Sequence, residues 1–341
     1  MLNNKVILIT GGTGSLGKKL VQVIVKEHKP AKLIILSRDE LKQFEMSQKL
    51  SHKKFPFIRY FLGDVRDKDR LMRTFHDVDY VIHAAALKQV PAAEYNPTEF
   101  IKTNVIGAMN VIDAALYNKV KKVVALSTDK ACNPINLYGA SKLCSDKLFI
   151  AANSIADVSK TCFTVVRYGN VLGSRGSVIP FFKERAKTGV LPITDPEMTR
   201  FWITLDQAAH FVLKSLELAQ GGEIFVPKIP SMKLTDLAGA IGPGCKQKII
   251  GIRPGEKTHE TLISKEEART AVEFKECYIV RPFIPGRVVI RAKGKPCQKG
   301  FEYVSQGNTE WLSVSSLKKL VDQISDDYSI EKSRWSMDDI S

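Results

Sequence analysis

Short apolar runs rich in β-branched residues recur through the first half of the chain, each followed by a stretch with helical spacing. VILIT (6 to 10), KLIILS (32 to 37), a run within FIRYFLGDV (57 to 65), DYVIHAAA (79 to 86), KVVALST (122 to 128) and TCFTVVRYGNV (161 to 171) read as six strands. Between them, Gly17 to Lys26, Asp39 to Ser51, Thr98 to Asn118 and Tyr138 to Ser154 read as helices, with Gly107 inside the third where a neighbour must pack closely. Regular β-α alternation with strands apolar on both faces predicts an α/β fold, a Rossmann-type doubly wound parallel sheet.

After Asn170 the alternation breaks. Turn-rich segments follow: GSRGSVIP, ITDPEMTRFW, VPKIPS and IRPGEK. One helix stands out, about Leu205 to Leu218, with Asp206 in its first turn. This pattern predicts a smaller, irregular C-terminal lobe whose loops close over a ligand, with one helix returning to the sheet. The expected division is therefore discontinuous: residues 1–168 with about 203–222 form the dinucleotide-binding domain, and 169–202 with 223–341 form the substrate lobe. There is no internal repeat, and the tail after Asp326 is polar and expected to be loosely held.

The 341 residues accommodate two such lobes. The net charge of +15 raises a nucleic-acid partner, but the lysines are dispersed and no aromatic-interleaved basic motif accompanies them. The expectation is no nucleic-acid binding; a basic cleft for a small anionic substrate is compatible with the charge. No run of 18 apolar residues occurs and the start lacks signal-peptide features, so no membrane association and a cytoplasmic location are expected. The six cysteines stand singly without CxxC spacing, which predicts free thiols and no metal site.

Gly11-Gly12-Thr13-Gly14-Ser15-Leu16-Gly17 joins the first strand to the first helix. Gly11 permits the tight turn, Gly14 lets the backbone approach a pyrophosphate, and Gly17 lets helix pack on strand. The second strand ends at Ser37 and Arg38, where an acidic residue would select NAD; the arginine fork suits a 2′-phosphate and favours NADP, although Asp39 follows directly. Asp64 and Val65 are placed for the adenine edge, and Ala84, Ala85, Ala86 and Asn104 flank the middle of the cofactor.

The stretch STDKACNPINLYGASK (127 to 142) carries the chemistry. Tyr138 and Lys142 are one helical turn apart and share a face. An ammonium there would lower the tyrosine pKa, so that Tyr138 takes a hydroxyl proton as hydride leaves the same carbon, while Lys142 also holds the nicotinamide ribose. Thr128, or Ser127, would hydrogen-bond the reacting oxygen. Asp129 and Lys130, an acid beside a base, are superfluous for a plain dehydrogenase and fit an enzyme that also eliminates water.

The chain resembles the extended short-chain dehydrogenases/reductases, and within them the inverting UDP-N-acetylglucosamine 4,6-dehydratases of pseudaminic acid biosynthesis and flagellin glycosylation. TGGTGSLG, SRDELKQ, AALKQVPAAEYNP, STDKACNP, YGASK, RYGNVLGSRGSVIPFF, TDPEMTRFW and RPGEK carry the resemblance, over about residues 5 to 260, and GFEYVSQGNTEWLS (300 to 313) also resembles the family. Membrane-anchored relatives carry methionine at the tyrosine position, so Tyr138 aligns this chain with the short soluble form. The resemblance implies oxidation at C4 of the sugar, loss of water across C5 and C6 with Asp129 as acid and Lys130 as base, and hydride return from NADPH to C6, which regenerates NADP. Lys130 then needs a depressed pKa, which burial or Lys142 would supply. The resemblance also implies that Asn170, Arg200 and Arg253 contact the nucleotide sugar, and that the protein is a homo-oligomer, dimer or hexamer. Glu256 is placed for a ribose hydroxyl or uracil, and Lys88 for the sugar. A UDP-sugar 4-epimerase, a C5-retaining dehydratase and a non-catalytic NADP-binding regulator remain open alternatives.

Overall fold

The computed structural model describes residues 1–156, 161–174, 178–282 and 294–330. Residues 175–177 of the GSRGSVIP run, the later part of the polar tail, and part of the expected substrate lobe (283–293) lie outside the described residues.

All six expected strands form: β1 (Val6–Thr10), β2 (Lys32–Ser37), β3 (Ile58–Leu62), β4 (Tyr80–His83), β5 (Lys122–Leu126) and β6 (Cys162–Val166). They lie parallel in the order 3-2-1-4-5-6. Ile7, Leu8, Ile9, Val81, Ile82, Val123 and Val124 are almost fully buried, because helices cover both faces. Each such side chain contributes about 1.5–3 kcal/mol relative to exposure. The order reverses between β1 and β4, where neighbouring chains leave the sheet in opposite directions and open a crevice at the strands' C-terminal ends.

The helix Ser15–Glu27 starts two residues earlier than the spacing indicates, and Glu40–Lys49 is N-capped by Asp39, which accepts from Lys42 N–H at 3.0 Å. The long helix expected over 98 to 118 is interrupted by a π-helical stretch, Ile101–Ile106, before Gly107–Tyr117. A Cβ on Gly107 would lie 2.8 Å from Val65 Cγ2, which is the close neighbour there. The helix Leu205–Leu218 carries a capping box of Thr204 and Gln207.

The region after 222 differs from the expected division. Ile224–Pro227 pairs parallel with β6, and Cys277–Val280, Ala271–Glu273 and Lys295–Pro296 extend the same sheet antiparallel, making ten strands among the described residues. Part of 223–341 thus belongs to the large sheet, since β6 would otherwise present an open edge. A separate core gathers Phe182, Leu191, Trp202, Met232, Leu237 and Leu317 from the second lobe. No helix among the described residues is long and apolar enough to cross a membrane.

Candidate active site

The crevice is a cleft of about 1070 Å³ running from the glycine turn to the second lobe. At its floor Gly11 has φ +66°, and a Cβ there would sit 2.8 Å from the backbone of Ala85, so the turn needs glycine on both counts. A Cβ on Gly17 would lie 2.6 Å from Gly11 O. Gly14 caps the helix Ser15–Glu27 without a side-chain hydrogen bond, leaving first-turn N–H groups for an anion. Gly11, Thr13, Gly14, Ser15, Leu16 and Gly17 all line the cleft, and this cradle fits the pyrophosphate of a dinucleotide.

Further along, Ser37 Oγ lies 2.7 Å from Thr13 Oγ1, and the half-exposed Arg38 guanidinium is 3.7 Å from Asp64 Oδ2. Asp39 is engaged as a helix cap and in an ion pair with Lys42. Burial acts to raise the Asp64 pKa, but hydrogen bonds and charge from Arg66, with Arg38 beyond, hold it below the usual carboxylate range. Val65 and Ala84, Ala85 and Ala86 line the cleft. Asn104 does not: it is buried, donates to Leu87 O and Ser141 Oγ, and accepts from Leu87 N–H, so it pins the chain leaving β4 instead of facing a ligand.

The catalytic stretch folds as a 3₁₀ turn, Asp129–Ala131, followed by the helix Leu137–Ile155. Asn136 caps that helix by accepting from Gly139 N–H at 2.8 Å. The close approach of turn to helix relies on Gly139, whose Cβ would stand 2.2 Å from Lys130 O. Thr128 Oγ1 donates to Asp129 Oδ1 at 2.9 Å and also bonds Tyr138. Ser127 and Thr128 both line the cleft, and each hydroxyl donates to a carboxylate, Ser127 to Asp146 Oδ2 at 2.8 Å and Thr128 to Asp129 Oδ1.

Two expectations about proton affinity change, those for Tyr138 and Lys130. Burial pushes the Tyr138 phenol up to about 12; the groups that oppose this are Lys130 and Thr128, not Lys142. Burial lowers the Lys142 ammonium, with Asp146 opposing. Burial also acts to lower Lys130, but the carboxylates of Asp129 and Glu260 outweigh it and raise its pKa, the reverse of the depressed value expected. Asp129 itself is raised, first by burial and further by Glu260.

Toward the second lobe, Lys88, Asn170, Arg200, Arg253 and Glu256 all line the cleft. Desolvation by the surrounding walls lowers the Lys88 pKa. Arg200 lies 3.9 Å from Glu260, while Arg253 and Glu256 form a pair at 3.6 Å. Several buried polar atoms along the walls have no partner in the protein, among them Asp129 Oδ2, Asn170 Oδ1, Glu256 Oε2 and Glu260 Oε2, as a polar ligand's site requires. The RPGEK loop is tied to the catalytic stretch twice, by Asn136 Nδ2 to Gly255 O and by Lys257 Nζ to Cys132 O, each 2.7 Å.

Sequence reasoning missed Glu260 and the buried group beneath the site, where Arg167 bonds Glu267 at 2.8 Å and lies 3.4 Å from Asp146. Asp146 was findable, one further turn along the face of Tyr138 and Lys142; Glu260 stands in no motif. The thiol of Cys132 is pushed up to about 12 by burial and Glu267, so it is not a nucleophile.

The fold and cleft define a Rossmann-type protein of the extended short-chain dehydrogenase/reductase kind. The family model described as polysaccharide biosynthesis protein matches residues 7–282. A Campylobacter jejuni protein named UDP-N-acetylglucosamine 4,6-dehydratase (inverting) is 56% identical over 94% of this chain and 98% of its own. A Rickettsia canadensis protein named UDP-glucose 4-epimerase is 41% identical over 94% and 96%. The solved structure of Pen from Bacillus thuringiensis matches with a TM-score of 0.86 and 37% identity, over 95% of this chain and 99% of that one. The chain belongs to the polysaccharide biosynthesis protein family.

Proposed function

We propose that the protein is a UDP-N-acetylglucosamine 4,6-dehydratase that inverts C5, giving UDP-2-acetamido-2,6-dideoxy-β-L-arabino-hex-4-ulose, with NADP as its recycled cofactor. The observation that carries this is the pair of buried Asp129 and partly exposed Lys130, 3.1 Å apart and beside Tyr138 in the nucleotide-binding cleft. The dehydratase name of the 56% identical relative supports it.

A nicotinamide dinucleotide held in the glycine cradle would supply reversible hydride transfer, as acceptor for C4 and as donor for C6. Arg38 and Lys42 at the adenosine end favour a 2′-phosphate, the more so as the Asp39 carboxylate is engaged as a cap. Tyr138 exchanges a proton with the C4 oxygen; Lys130 and Thr128 are the neighbours that favour its phenolate. The ketone at C4 acidifies the C5 proton. Lys130 takes that proton, and Asp129, whose raised pKa suits a proton donor, protonates the leaving C6 hydroxyl. Arg200 and Arg253 hold the diphosphate. The proposal includes a cytoplasmic location, a place in pseudaminic-acid-type sugar synthesis and assembly as a homo-oligomer.

Proton NMR after incubation with UDP-N-acetylglucosamine in D₂O tests the reading. A 6-methyl signal, deuterium at C5 and the L-arabino configuration are expected. The epimerase-named relatives keep 4-epimerisation as the second reading: a product changed only at C4, with C5 and C6 untouched, would establish it instead. Binding of NADP without turnover of any UDP-sugar would indicate a regulator.

A further inference from the structure

Two buried carboxylates share one ammonium at the centre of the cleft. Lys130 Nζ lies 3.1 Å from Asp129 Oδ1 and 3.1 Å from Glu260 Oε1. Both acids are 1% exposed, and each keeps its other oxygen buried without a partner. The backbone of Glu260 is fixed: its N–H donates to Ser305 Oγ at 3.0 Å, its carbonyl accepts from Ser305 N–H at 2.8 Å, and Ser305 Oγ lies 2.7 Å from Thr199 Oγ1. A buried carboxylate costs several kcal/mol of desolvation unless it is paired. Asp129 already neutralises Lys130; Glu260 reaches the same ammonium at 3.1 Å and Arg200 only at 3.9 Å, so the lysine carries a second carboxylate.

We propose that Glu260 is a positioning residue for the dehydration: it is the counter-ion for the charge that grows on Lys130 as the C5 proton is taken, which frees Asp129 to give its own proton to the C6 oxygen. The inference deepens the dehydratase reading and rests on it. Before elimination the three groups hold one proton, which Lys130 and Asp129 exchange across their 3.1 Å contact. In the reactive arrangement it sits on Asp129 and the lysine is a neutral amine. The C5–H bond breaks, its proton forming an N–H bond on Lys130 and its electron pair the C5–C6 double bond. The C6–O bond breaks as the Asp129 proton joins the oxygen, and water leaves. Asp129 ends as carboxylate, Lys130 as ammonium beside an unchanged Glu260, and the net charge of the three is the same as before.

The charged and titratable groups facing Lys130 are Asp129, Tyr138 on the helix, Arg200 on the strand Thr199–Ile203, and Glu260, which Lys257 also reaches. Glu260 raises the proton affinity of both Lys130 and Asp129. Removing its charge therefore moves both limbs of the pH–rate profile for elimination to lower pH, each pKa unit corresponding to about tenfold in proton affinity.

The test compares wild type, Glu260→Gln and Glu260→Asp with NADP and UDP-N-acetylglucosamine. Elimination is followed by the 6-methyl signal, and C4 oxidation by absorbance of the reduced nicotinamide. In Glu260→Gln, elimination is expected to fall by about tenfold or more relative to C4 oxidation, with both limbs of its profile shifted to acid. Glu260→Asp keeps the charge one methylene further away and is expected between the two; it carries the comparison should the glutamine variant not fold. Limbs at their wild-type positions, or an equal fall in both steps, overturn the proposal. Wild type that makes no 6-methyl product overturns the dehydratase reading and this inference with it, a result distinct from either.

Discussion

Replacing Gly139 by alanine places a methyl group 2.2 Å from the carbonyl oxygen of Lys130, 3.0 Å from its carbon and 3.2 Å from Pro134 Cβ. The nearest obstacle is backbone, so no rotamer change relieves it. The turn Asp129–Ala131 and the helix Leu137–Ile155 have to part by about an ångström to reach ordinary contact. Overpacking of this kind costs about 1–3 kcal/mol of stability. A displacement of about 1 Å in a reacting group costs about 100-fold in rate. Lys130 stands in that turn and Tyr138 is the residue before the new methyl, so elimination and C4 oxidation are both expected to fall by about that factor. Affinity for NADP is expected to hold, because the cradle at Gly11 to Gly17 is built on the ends of β1 and β4. The measurements are a thermal melt, NADP binding by fluorescence, and rates for both steps. A variant that melts below wild type yet keeps its full rate would show that this contact supports the fold without placing the acid and base. One that behaves as wild type in every respect would refute the steric argument itself.

Other outcomes follow from the same geometry. Asp129→Asn and Lys130→Ala are expected to bind NADP normally and to lose the 6-methyl product; normal product from either removes that residue from its role. Arg38→Ala should weaken NADP by about tenfold or more while leaving NAD affinity unchanged, since only one of them carries the 2′-phosphate; equal effects on both would argue against a 2′-phosphate contact. His83 is buried against Thr10, and burial, with Lys142 beyond, lowers its pKa from 6.5 to about 3. The unfolded chain binds a proton there that the folded protein does not, so stability is present above pH 6.5 and falls by about 1.4 kcal/mol per unit as pH drops toward 3. In His83→Gln that part of the denaturant-measured slope should disappear; a slope identical to wild type would show that His83 does not set it.

The parallel half of the sheet was legible because most strands are apolar runs and most crossovers long helices, both local signals; the seven-residue helix Lys68–Thr74 between β3 and β4 was too short to read. The glycine turn and the Tyr138–Lys142 face were legible for the same reason. The second lobe was not: strands such as Ser231–Lys233 and Thr261–Ile263 put only one or two side chains on each face, too few to show a period. Glu260 is brought to Lys130 by a segment that pairs with Tyr303–Val304, some forty residues away, and no spacing encodes that. The proton affinity of Lys130 was misjudged on the same account, since burial was foreseeable and the second carboxylate was not. Asn104 illustrates the opposite error, a polar residue at a plausible position whose hydrogen-bonding capacity is taken up by the backbone of Leu87.

The two ties between the RPGEK loop and the catalytic stretch couple access to chemistry. Gly255 hangs from Asn136, the cap of the helix that carries Tyr138, and Lys257 holds the carbonyl of Cys132, three residues after Asp129. Arg253 and Glu256 sit between those anchor points and the solvent. The mouth of the cleft and its machinery thus share one frame, anchored at Asn136 and at Cys132.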